Sequence, residues 1–494
     1  MASGPTSIFS SSFLQRHSRW GWAAFWIYLT FLVIVYGTSI NIADADLWHH
    51  FALLDYLLRT GHFPVGDTFS YDADYQLIPD HEWGSGLLFY PAYLLSPSTG
   101  LVVVKLIALG LTLALTVRAG LGQRSPTLLE TFFYSLVLLA LLPSFLSTIR
   151  SGAFTHLFLA LWVLWFQRER AGAPIPYAGY VVTMIVWANV HPGFMVGLAW
   201  LALITAWEFM TARAWLPRFM LLVLCLLATL INPFGWEIWT GISHAASISR
   251  DAIEEWGPVP WIQPYNTFSG YKLLLLWSLV IIFSHIHRSG WRKCDQIAVV
   301  LYVIFVAISL LAARNASLFA IVAGGLIPPL FAPEKSLHDL HEWRPWLQRL
   351  TVRAILVILP LILAARLIST SQGFSLTYPP YSYPLGAINY LRDQKVTGRL
   401  LIDFNSGSYA LWELRGQMRV SMDSRYLLVY SPETFQKVQR FFAGENHWRD
   451  VLTDPAPDAV LVDLPDPIYP KMRAEPGWTQ VYQDATHAVF RPKP

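Results

Sequence analysis

The sequence predicts a polytopic α-helical membrane protein with about eleven transmembrane helices and a small C-terminal α/β domain. The first observation is composition, since 54% of the 494 residues are hydrophobic and only 14% are charged. Soluble domains carry about 25% charged residues. The second is that apolar runs of nearly bilayer-crossing length recur along the chain. The third is a change after residue 369, where short β-like runs alternate with helix-like stretches.

The apolar runs are the candidates for transmembrane helices. We place these spans at 21–41, 100–118, 127–147, 152–167, 175–190, 194–210, 216–232, 270–286, 296–313, 315–331 and 351–369. A further run at 84–95 is too short to cross and contains Pro91, so we expect an interfacial helix there. The first run has no clear small-residue cleavage site, and we expect it to be retained.

The distribution of basic residues indicates which ends of these spans face the cytoplasm. With the N-terminus in the cytoplasm, the clusters of arginine and lysine face the cytoplasm, as membrane proteins prefer. The clusters are Arg16 and Arg19, Arg118 and Arg124, Arg168 and Arg170, Arg213 and Arg218, Arg288 to Lys293, and Arg344 and Arg349. A crossing at 84–95 would turn most of them outward. We therefore predict a multi-pass membrane protein with a cytoplasmic N-terminus and an extracytoplasmic C-terminal domain.

This orientation divides the chain into a transmembrane domain, 1–369, and an extracytoplasmic α/β domain, 370–494. The first extracytoplasmic loop is 42–99. In the tail, the runs at 398–404, 418–424 and 458–464 predict strands, 432–443 a helix, and 478–492 a terminal hairpin. A net charge of +3 gives no reason to expect a nucleic-acid partner.

The first outer loop begins with NIADADLWHH (41–50), a concentration of polar side chains at the end of a span. Asp44 and Asp46, with Glu82 of the same loop, offer the hard oxygen ligands that a divalent cation such as Mg²⁺ or Mn²⁺ prefers. Alternatively, Asp44 or Asp46 acts as a general base. The plainest alternative is that both are solvated loop residues.

The segment that follows the aspartates predicts a helix lying in the membrane plane. Its apolar positions, from Leu47 to Leu58, follow a spacing of three to four residues, and Gly61 ends the pattern. A helix in this position would hold Asp44 and Asp46 at the depth of the lipid headgroups. A lipid-linked phosphate lies at the same depth.

The stretch DADLWHHFALLDYLLRTGHFPVGDTFSY (44–71), followed by DHEWGSG (80–86), resembles the first extracytoplasmic loop of GT-C glycosyltransferases. These polytopic enzymes take sugars from polyprenyl-phosphate or polyprenyl-diphosphate carriers. In oligosaccharyltransferase catalytic subunits, an acidic-x-Asp pair precedes an aromatic residue and a helix. Asp44 and Asp46 match that pair and Trp48 the aromatic residue. The sequence departs at Leu47, where those enzymes have proline, and at Thr68.

Further segments are similar to bacterial GT-C-like membrane proteins. They are DHEW (80–83), WANVHPGF (187–194), INPFG (231–235), EEW (254–256), ARN (313–315) and MDSR (422–425). The resemblance implies a GT-C fold for residues 1–369, a polyprenyl-linked sugar donor and a location in a bacterial inner (plasma) membrane. The second-loop acidic motif and the peptide-acceptor pocket of oligosaccharyltransferases are not found. Protein O-mannosyltransferases and aminoarabinose transferases are therefore equally good analogues.

Two arginines at outer helix ends are candidates for binding the donor phosphate. Arg150 and Arg314 have guanidinium groups, which bind phosphate oxygens bidentately. A snorkelling side chain is the alternative for Arg150. Arg314 stands between two spans with almost no loop, where a charge usually faces a cavity or a partner.

Candidate substrate contacts are Asp80, His81, His191, Trp48 and Arg425. Three of them have a structural alternative: a satisfied histidine for His191, a membrane-interface aromatic for Trp48 and a domain ion pair for Arg425. The spacing of a HExxH zinc helix is absent, so no zinc protease is expected.

These residues favour an inverting glycosyltransferase that moves a sugar from a polyprenyl-linked donor to an acceptor glycan, lipid or protein. The alternative is a non-catalytic transporter, flippase or scaffold for lipid-linked glycans. Transporters place ionisable residues near mid-membrane, whereas those of this chain cluster at one face. The sequence therefore favours the enzyme, working among membrane lipids.

Overall fold

The computed structural model describes residues 11–74, 80–145, 148–248, 254–263, 267–331 and 373–493, with single positions between 351 and 372. The first four helices are α1 (Ser11–Gly37), α2 (Ala45–Thr60), α3 (Trp83–Leu95) and α4 (Pro97–Leu121). Then follow α5 (Leu128–Phe145), α6 (Gly152–Arg170), α7 (Tyr177–Val190), α8 (Phe194–Met210) and α9 (Leu216–Ala228). The series continues with α10 (Glu237–Ser247), α11 (Ser269–Ser289), α12 (Gln296–Leu311) and α13 (Ala316–Leu326).

The polytopic helical architecture is confirmed in the described part of the chain. Helices occupy each predicted span from 21–41 to 315–331. Four segments are long and apolar enough to cross a bilayer: Pro97–Leu121, Leu128–Phe145, Ser269–Ser289 and Ala313–Leu330. The shorter apolar helices include Tyr177–Val190 and Phe194–Met210. The eleventh predicted span, 351–369, lies outside the described residues apart from single positions, so the number of spans stays a prediction.

The first outer loop contains the two predicted helices. Helix α2 ends where Gly61 adopts a left-handed conformation with φ of 77°, and the Gly61 N–H donates to the Leu57 carbonyl. Glycine adopts this conformation without steric cost, which is why it ends helices so often. Helix α3 coincides with the run predicted to be interfacial and retains Pro91 within it.

The C-terminal part contains a five-stranded mixed sheet. Its strands are β3 (Gly398–Leu401), β4 (Met418–Val420), β5 (Ala459–Asp463), β6 (Trp478–Gln483) and β7 (His487–Pro492), in the order β4-β3-β5-β7-β6. The sheet is accompanied by α14 (Leu385–Asp393), α15 (Phe404–Glu413), α16 (Pro432–Phe442) and α17 (Ile468–Ala474). Strands β6 and β7 form the predicted antiparallel terminal hairpin. A small α/β unit therefore follows the helical part.

The first outer loop pairs with the edge of this sheet. Ser70 forms a parallel bridge with Val420 of β4. The Val420 N–H donates to the Phe69 carbonyl, and the Tyr71 N–H donates to the Val420 carbonyl, both across 3.1 Å. The loop thereby pairs with backbone N–H and C=O groups of the edge strand β4 that would otherwise lack hydrogen bonds.

A shared apolar core supports this pairing. Trp48 and Phe51 of α2 pack with Tyr409 and Trp412 of α15, with ring centroids 5.3 Å and 5.7 Å apart. Burying large aromatic side chains is a major stabilising contribution. The loop that carries the polar cluster is thus packed on one side by the C-terminal unit.

Candidate active site

Two short strands place the first aspartate beside the first arginine. Strand β1 (Ile42–Ala43) pairs in parallel with β2 (Thr148–Ile149), with Ala43 opposite Ile149. The next residues along the two strands, Asp44 and Arg150, are therefore neighbours. The Asp44 N–H donates to the Ile149 carbonyl, and Arg150 Nη1 lies 4.0 Å from Asp44 Oδ2.

Asp44 also begins helix α2. Its side chain accepts a hydrogen bond from the Asp46 N–H at 3.1 Å, which is the usual role of an aspartate at a helix N-cap. Asp46 follows in the first turn of the helix. The spacing Asp-x-Asp thus sets one carboxylate against Arg150 and leaves the other at the cavity surface.

Arg150 and Arg314 converge on one carboxylate. Arg150 Nη1 lies 2.9 Å from Glu255 Oε2, and Arg314 Nη1 lies 3.3 Å from Glu255 Oε1. The guanidinium of Arg314 also stacks over the Trp256 ring at 4.3 Å. Glu255 is a site residue that the sequence analysis above does not predict. Its signal in the sequence is the EEW segment (254–256) of the family resemblance.

These groups line a cavity of about 780 Å³, here called the large cavity. Its polar lining includes Asp44, Asp46, His50, His81, Glu82, Arg150, Ser151, Thr155, His191, Glu255, Arg314, Asn315 and Ser424. The volume lies in the range of small-molecule binding sites. The structure therefore brings the predicted aspartates, Glu82, His81, His191 and both predicted arginines into one chamber.

Glu82 is the most heavily contacted carboxylate in this chamber. It accepts a hydrogen bond from Ser151 Oγ, its Oε2 lies 3.3 Å from His50 Nε2, and its Oε1 lies 3.6 Å from His191 Nε2. His81 Nε2 is 3.9 Å from the same Oε1. Burial opposes ionisation, but His191 and His50 together hold the pKa of Glu82 well below its ordinary value.

His191 is oriented by its own turn. The Gly193 N–H donates to His191 Nδ1 at 2.9 Å, and Thr155 Oγ1 lies 2.8 Å from the same nitrogen. Because Nδ1 accepts the Gly193 hydrogen bond, the proton of the neutral ring is on Nε2, which faces Glu82. Burial lowers the pKa of His191 to about 4, which keeps the ring neutral. The turn His191-Pro192-Gly193 thus orients this imidazole towards Glu82.

A second chamber of about 190 Å³, here called the small cavity, adjoins the large one. Its apolar lining is Leu53, Phe63, Pro64, Phe69, Phe234, Leu428 and Val429. The side chains that line both cavities are Asp46, His50, His81, Glu82 and Ser424. They form the wall between the two chambers, so Asp46 is accessible from either side.

The electrostatics of this wall differ from residue to residue. Burial, together with the negative charges of Asp44 and Glu82, raises the pKa of Asp46 to about 8. Burial lowers the pKa of His50, yet Asp80 and Glu82 outweigh this effect and hold it well above its ordinary value. His50 Nδ1 is 3.0 Å from Asp80 Oδ2. The wall thus holds one imidazolium between two carboxylates, beside an aspartate that titrates near neutral pH.

A group able to hold a metal ion is present, but it is not the predicted one. In the residues that the structure describes, His49, His50 and Asp80 place three ligand atoms within 4.8 Å of one another. Asp44, Asp46 and Glu82 do not form such a group, because Asp44 faces Arg150 and Glu82 faces His50 and His191. The cation-binding role of that trio stays a prediction, and we assign no reaction step to a cation.

Two predicted substrate contacts have structural partners. Arg425 binds Asp423 through two hydrogen bonds of 2.8 Å and 2.6 Å, and its Nη1 lies 2.5 Å from Asp67 Oδ2. It also lines the small cavity. Trp48 lies outside both cavities. It is 1% exposed, and its Nε1–H donates to the Tyr383 hydroxyl at 3.0 Å.

Several solved membrane glycosyltransferases share this fold. The archaeal oligosaccharyltransferase AglB from Archaeoglobus fulgidus, in complex with an inhibitory peptide and a dolichol-phosphate, matches with a TM-score of 0.61 at 11% identity. The match covers 90% of this chain and 70% of AglB. ArnT from Cupriavidus metallidurans, in the apo state, matches with a TM-score of 0.51 at 12% identity, over 96% of this chain and 98% of ArnT.

The arabinofuranosyltransferase AftD from Mycobacteria also matches, with a TM-score of 0.55 at 13% identity. The match covers 99% of this chain but only 40% of AftD. No protein-family model and no curated protein sequence matches the chain. At these identities the likeness establishes the fold, and the activity is argued from the site.

Proposed function

The chain has the GT-C fold, and on that premise we propose that it is an inverting glycosyltransferase with a polyprenyl-linked sugar donor. The observation that carries the proposal is the position of Asp46 in the wall between two cavities. One cavity presents Arg150 and Arg314, and the other combines apolar side chains with polar groups such as Asp80 and Arg425. A transfer reaction needs this arrangement of a donor chamber, an acceptor chamber and a base between them.

The large cavity suits the donor. The phosphate or diphosphate of the carrier lipid would bind Arg150 and Arg314, which Glu255 holds side by side. Guanidinium groups bind phosphate oxygens through strong charge-assisted hydrogen bonds. They also stabilise the negative charge that develops on the departing phosphate, so the leaving group needs no general acid.

Asp46 is the proposed base. Its ionised carboxylate takes the proton from an acceptor O–H or N–H, and the lone pair freed on that atom forms a bond to the anomeric carbon. The bond from this carbon to the phosphate oxygen breaks at the same time, and its electron pair leaves with the carrier phosphate. Because attack and departure occur on opposite faces of the sugar, the configuration inverts. A pKa of about 8 suits this role near neutral pH.

The remaining residues of the wall would position the reactants. Glu82 and the imidazolium of His50 place one negative and one positive charge beside Asp46. His191 faces the same carboxylate, Glu82. Asp80, His81 and Arg425 line the small cavity, where the acceptor glycan, lipid or protein would bind. Asp44, which shares Arg150 with Glu255, is the alternative base.

The membrane setting supports the same proposal. The apolar helices and the membrane-protein neighbours establish a membrane protein. We further propose that the cavities open to the extracytoplasmic face of a bacterial inner membrane, with the N-terminus in the cytoplasm and the C-terminal unit, 370–494, outside. The distribution of arginine and lysine supports this orientation.

The test is donor turnover by the full-length protein in lipid nanodiscs. Radiolabelled sugars on a polyprenyl phosphate and on a polyprenyl diphosphate would be offered with candidate acceptors. Release of the carrier phosphate measures turnover, and NMR of the product gives its anomeric configuration. Turnover with inversion is expected. Retention of configuration would contradict the mechanism, and translocation of intact donor in vesicles without turnover would favour a transporter.

A further inference from the structure

A third cavity lies at the opposite end of the helix bundle. Helix α6 runs from Gly152 at the large cavity to Arg170 at this one, and α12 runs from beside Asp295 towards Arg314. The 19 residues of α6 make a helix about 28 Å long, close to the roughly 30 Å of a bilayer hydrocarbon core. This distal cavity, of about 540 Å³, therefore opens at the other membrane surface.

The lining of the distal cavity is densely charged with both signs. Its cations are Arg170, Arg213, Arg218 and Lys293, and its carboxylates are Glu169, Glu208 and Asp295. Charged side chains at the depth of helix ends are costly unless they are paired, hydrated or bound to a ligand. A cavity with this lining is therefore a candidate for a ligand that is itself charged.

Part of this charge is neutralised internally. Arg218 Nη1 binds Glu169 Oε2 at 2.7 Å, its Nη2 lies 3.6 Å from Glu208 Oε1, and Arg170 pairs with Asp295. Arg218 is only 5% exposed, and its Nε has no hydrogen-bond partner in the described residues. An acceptor that approaches Arg218 would satisfy that donor.

The two remaining cations come from separate turns. Arg213 lies between α8 and α9, and Lys293 lies between α11 and α12. In the part of the chain that the structure describes, neither has a carboxylate oxygen within ion-pair distance. Ala212, the residue before Arg213, adopts a φ of 53°, which L-residues rarely do. It lies in the turn between α8 and α9 that carries Arg213.

We propose that the distal cavity binds a phosphate ester that also carries a primary amine, as the ethanolamine headgroup of a membrane phospholipid does. The phosphate would bind Arg213, Lys293 and Arg218, and the ammonium would bind Glu169 and Glu208. Glu169 Oε1 has no hydrogen-bond partner in the described residues, and Glu208 has only its 3.6 Å contact with Arg218, so both carboxylates can still accept from an ammonium. A zwitterion therefore pairs with both signs of charge in this cavity. The same chemistry is present in free phosphoethanolamine, so the test includes both sources.

The experiment measures the thermal stability of the full-length protein, because a ligand that binds the folded state raises Tm. Detergent-purified protein would be mixed with lipids carrying ethanolamine, choline or glycerol headgroups, and separately with free phosphoethanolamine. Native mass spectrometry would count the retained lipids. The test variant is Arg213→Ala with Lys293→Ala. The matched control, Arg168→Ala with Arg292→Ala, removes two exposed charges that do not line the cavity.

We expect the ethanolamine lipid to give the largest rise in Tm and the strongest retention, and the test variant to lose most of both while the control keeps them. An equal effect of free phosphoethanolamine would support the same chemistry with a soluble source. No preference among the headgroups would overturn the proposal, as would an equal loss in the control variant. Glycosyl transfer plays no part in this readout, so its outcome is independent of the proposed function.

Discussion

Arg150 and Arg314 are held side by side by the two oxygens of one carboxylate, Glu255, at 2.9 Å and 3.3 Å. The two arginines are far apart in the sequence: Arg150 lies between α5 and α6, and Arg314 lies between α12 and α13. Two guanidinium groups at this distance repel each other unless an anion lies between them. Glu255 supplies that anion. A phosphate approaching from the large cavity would share the two guanidinium groups with Glu255.

Replacing Arg314 by glutamine should weaken donor binding while the fold is retained, because Arg150 keeps its contact with Glu255. A lost charge-assisted hydrogen bond costs about 1.5–3 kcal/mol, or roughly 10- to 100-fold in affinity. The measurement is the KM for the polyprenyl-linked donor. The control Arg288→Gln removes an exposed arginine at the distal end and should change nothing. An unchanged KM in Arg314→Gln would remove this arginine from the donor site.

The rate should rise with pH through about 8, since Asp46 must be ionised to accept a proton and its pKa is raised to about 8. Asp44 contributes to that raised pKa through like-charge repulsion. Asp44→Asn retains an N-cap residue and should shift the limb of the kcat/KM profile to lower pH by roughly one unit. A shift to higher pH, or complete loss of activity with intact fold, would instead favour Asp44 as the base.

Gly193→Ala should lower turnover without unfolding the protein. A Cβ at this position would collide with Thr155 Oγ1 and lie 2.8 Å from His191 Nδ1, so the imidazole would turn away from Glu82. The measurement is kcat, with Tm as the check on folding. Gly110→Ala is the matched control, because the added Cβ would be 4.0 Å from its nearest neighbour, Val33 Cγ1. Equal kcat in both variants would show that the orientation of His191 does not affect turnover.

Arg425→Met should loosen the C-terminal unit from the first outer loop. The change leaves Asp423, which is fully buried, and Asp67 without their cation. Breaking a buried ion pair from one side costs about 3–5 kcal/mol. Limited proteolysis near residues 63–74 should accelerate and Tm should fall. Arg419→Met, at an exposed position of β4, is the control. A stable Arg425→Met variant would show that the pair is dispensable.

Local patterns predicted the helices well. The apolar runs predicted the membrane helices, and the spacing after Leu47 predicted α2 and its end at Gly61. These elements are determined by side-chain periodicity and by the conformational freedom of glycine, both of which are local properties. The aspartate pair and the two arginines were found because charges at helix ends stand out against an apolar background.

Long-range contacts were not accessible in the same way. Strands β1 and β2 have two residues each, too few for a periodic pattern, yet they decide that Arg150 lies beside Asp44. The bridge from Ser70 to Val420 and the position of Glu255 depend equally on how distant segments meet. The burial of Trp48 could not be predicted for a similar reason, because an aromatic residue next to a site looks the same in sequence whether it faces the cavity or the core.

The most direct test of the account is the single-turnover rate of sugar transfer in Asp46→Asn, compared with the wild type at pH 8 and with Asp393→Asn, an exposed carboxylate far from the cavities. Asparagine preserves the shape of the side chain but cannot accept the proton. The account predicts that donor binding persists in Asp46→Asn and that transfer falls by roughly 100-fold or more, with no change in Asp393→Asn. Transfer at the wild-type rate by folded Asp46→Asn would contradict it.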